Sequence, residues 1–404
     1  MTHPSRKSET DAHAAASSLD AALALDLERV RSAGLERKLR RIESAQGPAV
    51  TIDGKRYLLF CSNNYLGLAT HPEVVAAAHA ALDRYGASAV SSRLISGHMT
   101  AHAELEETLA RWKRVEAALV FSTGYQANIG VLTALLGPDD VVLSDELNHA
   151  SIIDGCRLSR ARIAVYRHND LDHLAERLAE TTGARRRLVV TESVFSMDGD
   201  RAPLAGIADL CERFGAWLMV DEAHAAGVFG PRGAGLAAEY GITDRVTVHV
   251  GTLGKALASF GAYVAGSRRL VDLLVNRARS FIFTTGLPPA SAAAARAAIE
   301  VVEREPERAR GLLARAARLG TELRAAGLSV PHVDSQILPV LVGDAGRAVE
   351  VGARLLAEGV YVAAIRPPTV PAGTSRLRVS LMATHSEADI ATATRAIVAA
   401  VNAT

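Results

Sequence analysis

Lysine is scarce in this chain. Five lysines (Lys7, Lys38, Lys55, Lys113 and Lys255) stand among 45 basic side chains in 404 residues, and the rest are arginine. Few amines are therefore open to lysine chemistry. An excess of either charge is also lacking. Lys+Arg number 45 against 44 Asp+Glu, a formal net charge of +1, so there is no global positive field for nucleic acid and no acidic tail. Cysteine is limited to Cys61, Cys156 and Cys211, odd in number and widely spaced. That speaks against a disulfide framework or a Cys-based zinc site; no metal site is expected, and a reducing cytoplasm fits. Long apolar runs are absent: none reaches the ~18 residues of a spanning helix, so no membrane partner is expected. Residues 1–20 have no apolar signal core and read as a disordered tail.

What is present is alternation. Leu23, Leu25, Leu27, Val30, Leu35 and Leu39 recur near helical spacing and predict a helix over roughly 21–41. Residues 49–52 and 57–60 read as a hairpin. Strand-like runs follow at 118–121, 141–144, 162–166, 188–191, 217–221, 246–250 and 262–265, with helical stretches at 101–113, 126–136, 170–181 and 203–214. Such alternation predicts an α/β fold with a mainly parallel sheet, whose ligands sit at the carboxyl ends of the strands. A long Ala/Arg/Glu helix over about 289–326 then leads to strands at 336–342, 360–365 and 376–381 and a helix near 346–358. A last helix is expected to be capped by Thr384 and Glu387. The expected division is a tail (1–20), a helix-and-hairpin arm (21–62), a large domain (63–300) and a smaller α+β domain (301–404).

Lys255 lies in Gly251-Thr252-Leu253-Gly254-Lys255-Ala256, just past a strand and between small residues. An amine at a strand end, in a partly desolvated pocket, is what Schiff-base chemistry needs; a surface lysine in a turn would look the same by position alone. The apolar run Trp217–Val220 ends in Asp221, with His224 three residues on. A carboxylate there needs a partner, such as a helix N-terminus, an arginine or a protonated cofactor ring nitrogen. Phe121-Ser122-Thr123-Gly124-Tyr125 ends a strand where a helix begins, an ordinary N-cap or an anion site. His149 follows another strand. Ser196 sits in Ser-Met-Asp-Gly, which is good turn chemistry by itself.

These residues, in this order, resemble the α-oxoamine synthases, a group of fold-type I pyridoxal-phosphate-dependent transferases. The carrying motifs are Ser62-Asn63-Asn64-Tyr65-Leu66-Gly67, Arg93-Leu94-Ile95-Ser96-Gly97-His98, Asp145-Glu146-Leu147-Asn148-His149, Ser193-Val194-Phe195-Ser196-Met197-Asp198-Gly199, Asp221-Glu222-Ala223-His224 and Thr252-Leu253-Gly254-Lys255. They span about residues 35–383. The stretch from Ala364 to Arg378 resembles members that condense L-alanine with a pimeloyl thioester, carried by CoA or acyl carrier protein; relatives using glycine or serine usually differ there.

The resemblance implies a pyridoxal 5'-phosphate cofactor and a homodimer with its site at the subunit interface. It implies Lys255 as the cofactor-bound base, Asp221 on the pyridine nitrogen and His149 over the ring, these three being catalytic. Ser196 and His224 would lie near the phenolic oxygen. Gly124, Tyr125 and Thr252 would surround the phosphate, with Thr284 and Thr285 reaching it from the second subunit. Arg366 would take the amino-acid carboxylate, and Arg37 and Thr369 match positions that contact substrate.

Overall fold

The structure is a computed structural model that describes residues 7–403, with side chains from Ser18 onward. Its core is a seven-stranded sheet: β3 (Ala117–Phe121), β4 (Val141–Asp145), β5 (Arg162–Tyr166), β6 (Arg187–Glu192), β7 (Trp217–Asp221), β8 (Val248–Thr252) and β9 (Ala262–Gly266), in the order β3-β9-β8-β7-β6-β4-β5. It follows β1 (Ala49–Ile52) and β2 (Lys55–Leu59) in the chain. Pairing is parallel from β8 through β7, β6 and β4 to β5; β9 alone runs antiparallel to both neighbours.

Strands in such a sheet are apolar on both faces, and successive side chains go to opposite layers. Val141 and Leu143 join one buried cluster, while Val142 joins the other; Leu218 and Val220 separate from Met219 in the same way. Helices such as Gly124–Leu135 and Leu204–Phe214 cover the two faces. This layering aligns the strand ends, so that Asp145, Glu192 and Asp221 close β4, β6 and β7 along one edge.

The C-terminal region carries β10 (Ile337–Gly343), β11 (Val360–Tyr361), β12 (Ala363–Ile365) and β13 (Ser375–Ser380), followed by helix Glu387–Asn402. β10, β13 and β12 form one antiparallel sheet. β11 instead pairs in parallel with β2 of the hairpin, whose Asp53-Gly54 turn has φ 48 and 72 at its two residues. The N-terminal arm is thus stitched into the C-terminal region.

Several boundaries differ from expectation. The first helix is Lys7–Ser32, not 21–41: its alanine-rich sequence propagates helix N-terminally, and Gly34, at φ 66, ends it. The tail expected over 1–20 is therefore helical from Lys7, and residues 1–6 lie outside the described residues. The single helix expected over 289–326 is two, Pro289–Arg304 and Glu307–Ala325. Pro306 causes the break, forcing Glu305 out of helical geometry (φ −118, ψ 57). The last helix is capped by Ser386 with Asp389, not Thr384 with Glu387.

Lys113 ends the charged helix Thr100–Lys113, where a lysine ordinarily stays in water. It is instead buried, bonded to the Glu222 carboxylate and the Ala234 carbonyl. Burial alone pushes the Glu222 carboxyl up, but Lys113 and His249 overrule it and hold it at about 2. Lys113→Met leaves that charge unpaired and is expected to destabilise the fold by about 3–5 kcal/mol, read from the urea midpoint. Because the folded carboxyl lies below its ordinary 4.5, the pair contributes fully above that pH. The contribution fades as pH falls through about 2, and the variant should lack this acid limb.

Candidate active site

Lys255 sits on the bend after β8, and its Nζ lies 2.8 Å from His224 Nε2. Burial pushes the amine down to about 8, against the opposing pull of Asp221 and Glu192, with Arg378 adding to the fall. An amine in that range is partly free base near neutral pH, which a nucleophile needs. Asp221, 6% exposed, ends the adjacent strand β7. One of its oxygens accepts from Asn128 Nδ2 at 2.9 Å and the other from the Ala223 N–H at 2.9 Å. Asn128 also donates to Ser151, and its Oδ1 is buried without a partner.

His149 caps helix Ala150–Ser159, with its Nδ1 2.8 Å from Ser151 Oγ. Its backbone N–H donates to Glu192 Oε1 at 2.7 Å. Burial lowers the His149 ring below its ordinary value, partly offset by Asp221. The same burial, with the Asp221 charge alongside, raises Glu192 to about 8. His224 is wholly enclosed, and burial together with the Lys255 and Arg378 charges keeps it neutral.

Behind His224 lies a network that motif reading missed. Tyr65 Oη is 2.7 Å from His224 Nδ1 and 2.9 Å from Asn63 Oδ1, and it accepts from Arg378 Nη2 at 3.2 Å. Arg378, on β13, also donates to the Ser196 carbonyl at 2.5 Å, tying the Ser196 turn to the C-terminal sheet. The turn is held further by Asp198 pairing with Arg376, and by His168 between Asp145 (3.0 Å) and Asp200 (2.8 Å).

Helix Gly124–Leu135 starts where β3 ends. Thr123 accepts from the Gln126 N–H at 3.1 Å, and the N–H groups of Gly124 and Tyr125 have no acceptor among the described residues. A Cβ built on Gly124 would meet nothing within 4 Å. The Tyr125 hydroxyl is engaged by Asp154. Thr252 Oγ1 accepts from the Gly254 N–H at 3.2 Å and donates to the Gly261 carbonyl at 3.2 Å. Thr284 and Thr285 lie against this chain's own cradle: Gln126 donates to Thr284 at 3.4 Å, and Ser122 to the Thr285 carbonyl at 3.1 Å.

Arg37, Arg366 and Thr369 do not join this cluster. They line an outer cleft of about 500 Å³ between the 36–40 segment and the C-terminal region, where Arg366 donates to the Glu36 carbonyl at 2.5 Å. The guanidinium whose charge reaches Lys255 is that of Arg378. His71, Glu73 and Glu305 also approach one another, but Arg304 and Arg308 occupy the two carboxylates at 2.6 Å each.

The open anion cradle, the lysine amine and the buried carboxylate between them fit pyridoxal phosphate, with Asn128 Oδ1 an unpaired acceptor beside that carboxylate. Fold and site define a fold-type I pyridoxal-phosphate enzyme, and the chain belongs to the aminotransferase class I and II family, whose model matches residues 55–397. Within it the chain is a member of the 8-amino-7-oxononanoate synthases. It is 56% identical to that enzyme from Anaeromyxobacter dehalogenans strain 2CP-1, over 90% of this chain and 92% of the relative. It is 53% identical to that of Geobacter sulfurreducens, over 93% and 96%. Among solved structures, Sphingomonas wittichii serine palmitoyltransferase matches at 34% identity and a TM-score of 0.89, covering 94% of this chain and 96% of that one. The 8-amino-7-oxononanoate synthase of Francisella tularensis matches at 26% and 0.73, covering 85% and 97%. Among the described residues, no helix is long and apolar enough to cross a membrane.

Proposed function

We propose that this enzyme joins L-alanine to a pimeloyl thioester, of CoA or acyl carrier protein, releasing CO2, the free thiol and 8-amino-7-oxononanoate for biotin synthesis in the cytoplasm. The observation that carries the reading is the Lys255 amine beside Asp221 on adjacent strand ends, within a chain more than half identical to synthases of that name.

When bound, pyridoxal phosphate supplies an electron sink for charge left on the amino-acid Cα. The chain's residues do the rest. Lys255 Nζ would hold the cofactor and then take and return the Cα proton. Asp221, fixed by Asn128 and Ala223, is the carboxylate that holds a ring nitrogen protonated. His149 would stack on the ring and donate toward the thioester oxygen as charge develops there. The N–H groups of Gly124 and Tyr125, with Thr252, would hold the phosphate. Ser196 and His224 would lie near the phenolic oxygen. Arg366 would bind the amino-acid carboxylate, and Arg37 and Thr369, which line the outer cleft with it, would contact substrate. The cofactor is held by the 63–300 lobe, and the 301–404 lobe closes the site.

A second copy of the chain completes the site. Val90, Ile95 and Phe283 are 85, 82 and 70% exposed, and the Ser92–Thr285 bridge joins their segments into one apolar edge beside the phosphate cradle. From that edge Thr284 and Thr285 can reach the partner's phosphate.

The amino-acid choice is tested by thiol release from pimeloyl-CoA with L-alanine, glycine or L-serine. L-Alanine should give the highest kcat/KM. Faster turnover with glycine or serine would place the chain with another synthase of the group, the reading that the serine palmitoyltransferase likeness favours.

A further inference from the structure

Tyr65 lies in the Asn-Asn-Tyr-Leu-Gly segment, far in sequence from His224 and Arg378, two of the groups it touches. It is wholly buried, and its hydroxyl meets His224, Asn63 and Arg378. Donor and acceptor roles can be assigned around it. A guanidinium only donates, so Arg378 Nη2 donates to Tyr65 Oη at 3.2 Å and to Asn63 Oδ1 at 3.3 Å. That fixes the Asn63 oxygen as an acceptor facing Tyr65. A lysine ammonium also only donates, so His224 Nε2 accepts from Lys255 at 2.8 Å. A neutral His224 then carries its hydrogen on Nδ1 and donates it to Tyr65 Oη, while the tyrosine hydrogen goes to Asn63.

We propose that Tyr65 is a positioning residue whose hydroxyl turns between Asn63 and His224 and so supports both tautomers of His224. This inference rests on the reading of Lys255 and His224 as cofactor residues. With Lys255 free, Tyr65 accepts from Nδ1–H. With the cofactor seated, the lysine amine no longer donates to the ring, and Nε2 must donate to the phenolic oxygen. Tyr65 then swings its hydrogen from Asn63 to Nδ1. The ring stays neutral: one proton arrives at Nε2 and one leaves Nδ1, both exchanged with solvent. Arg378 keeps one lone pair of Tyr65 Oη occupied throughout, and Gln336, whose Nε2 donates to the His224 carbonyl at 2.9 Å, also borders the hydroxyl as it turns between Asn63 and His224. Phenylalanine would fill the same space without this choice. The charged or titratable groups around His224 are Lys255 after β8, Arg378 on β13 and His149 after β4.

The test is 15N NMR of full-length protein labelled in histidine, with His224 assigned by a His224→Asn variant, without cofactor and after cofactor loading. At neutral pH the cofactor-free wild type should show hydrogen on Nδ1, and the loaded protein should show it on Nε2. Tyr65→Phe should keep the first state but give a mixed population when loaded, with kcat about tenfold lower and KM for L-alanine little changed. Asn63→Ala, which removes the other acceptor, should shift the cofactor-free protein toward hydrogen on Nε2 once Lys255 is deprotonated above pH 8, where the wild type should shift less. An unchanged wild-type tautomer on loading, or a Tyr65→Phe protein that switches as fully as wild type, overturns the proposal. If Tyr65→Phe fails to fold, Asn63→Ala decides alone. Failure to take up cofactor at all would instead defeat the parent reading.

Discussion

Lys255→Ala is expected to lower turnover by about 10⁴-fold or more, with the fold intact. The reasoning begins with the scarcity of lysine. Among the described side chains, Lys113 and Lys255 are the lysines that reach buried partners, and they differ in kind. Lys113 is locked against a buried carboxylate and serves the fold. Lys255 faces the neutral imidazole of His224, and burial lowers it to about 8, which leaves free base available. Arginine could replace neither the nucleophile nor the base, because a guanidinium stays protonated. Borohydride reduction of the loaded wild type should fix the cofactor's mass on the peptide containing Lys255, and the variant should show none. Cofactor fixed on another lysine would refute the assignment.

Asp221→Ala is expected to cost about 10³-fold in kcat, comparable to removing one preorganised electrostatic partner. The carboxylate is held by Asn128 and by the Ala223 N–H, so its position is set before any ligand arrives. The substitution removes an acceptor from two N–H donors but leaves the β7 ladder untouched. A melting curve should therefore show a smaller effect than the kinetics. Near-normal kcat in a folded, cofactor-loaded variant would contradict the role given to Asp221.

The sheet was legible because each strand is a short apolar run with a turn at its end, and all seven expected runs appear in the structure. The placement of the candidate residues at strand ends was legible for the same reason: Asp221 ends β7, and Lys255 and His149 follow β8 and β4 closely. What could not be read were contacts between distant segments. Tyr65 and Arg378 meet across 313 positions, and no local pattern marks either as a partner of His224. Lys113 looked like any lysine on a charged helix because its partner, Glu222, lies 109 residues on. Arg366, expected at the amino-acid carboxylate by motif, lines the outer cleft, while Arg378 on β13 is buried beside Tyr65, a contact no motif marks. The break at Pro306 was visible in the sequence; strong helix propensity on both sides obscured it.

The most direct test is mass spectrometry of the reaction of pimeloyl-CoA with L-alanine carrying ¹³C in its carboxyl group. Decarboxylative condensation at Lys255 and Asp221 requires the label to leave as ¹³CO2, with 8-amino-7-oxononanoate formed unlabelled. Label retained in the product, or pyruvate formed with no carbon–carbon bond, would contradict the account.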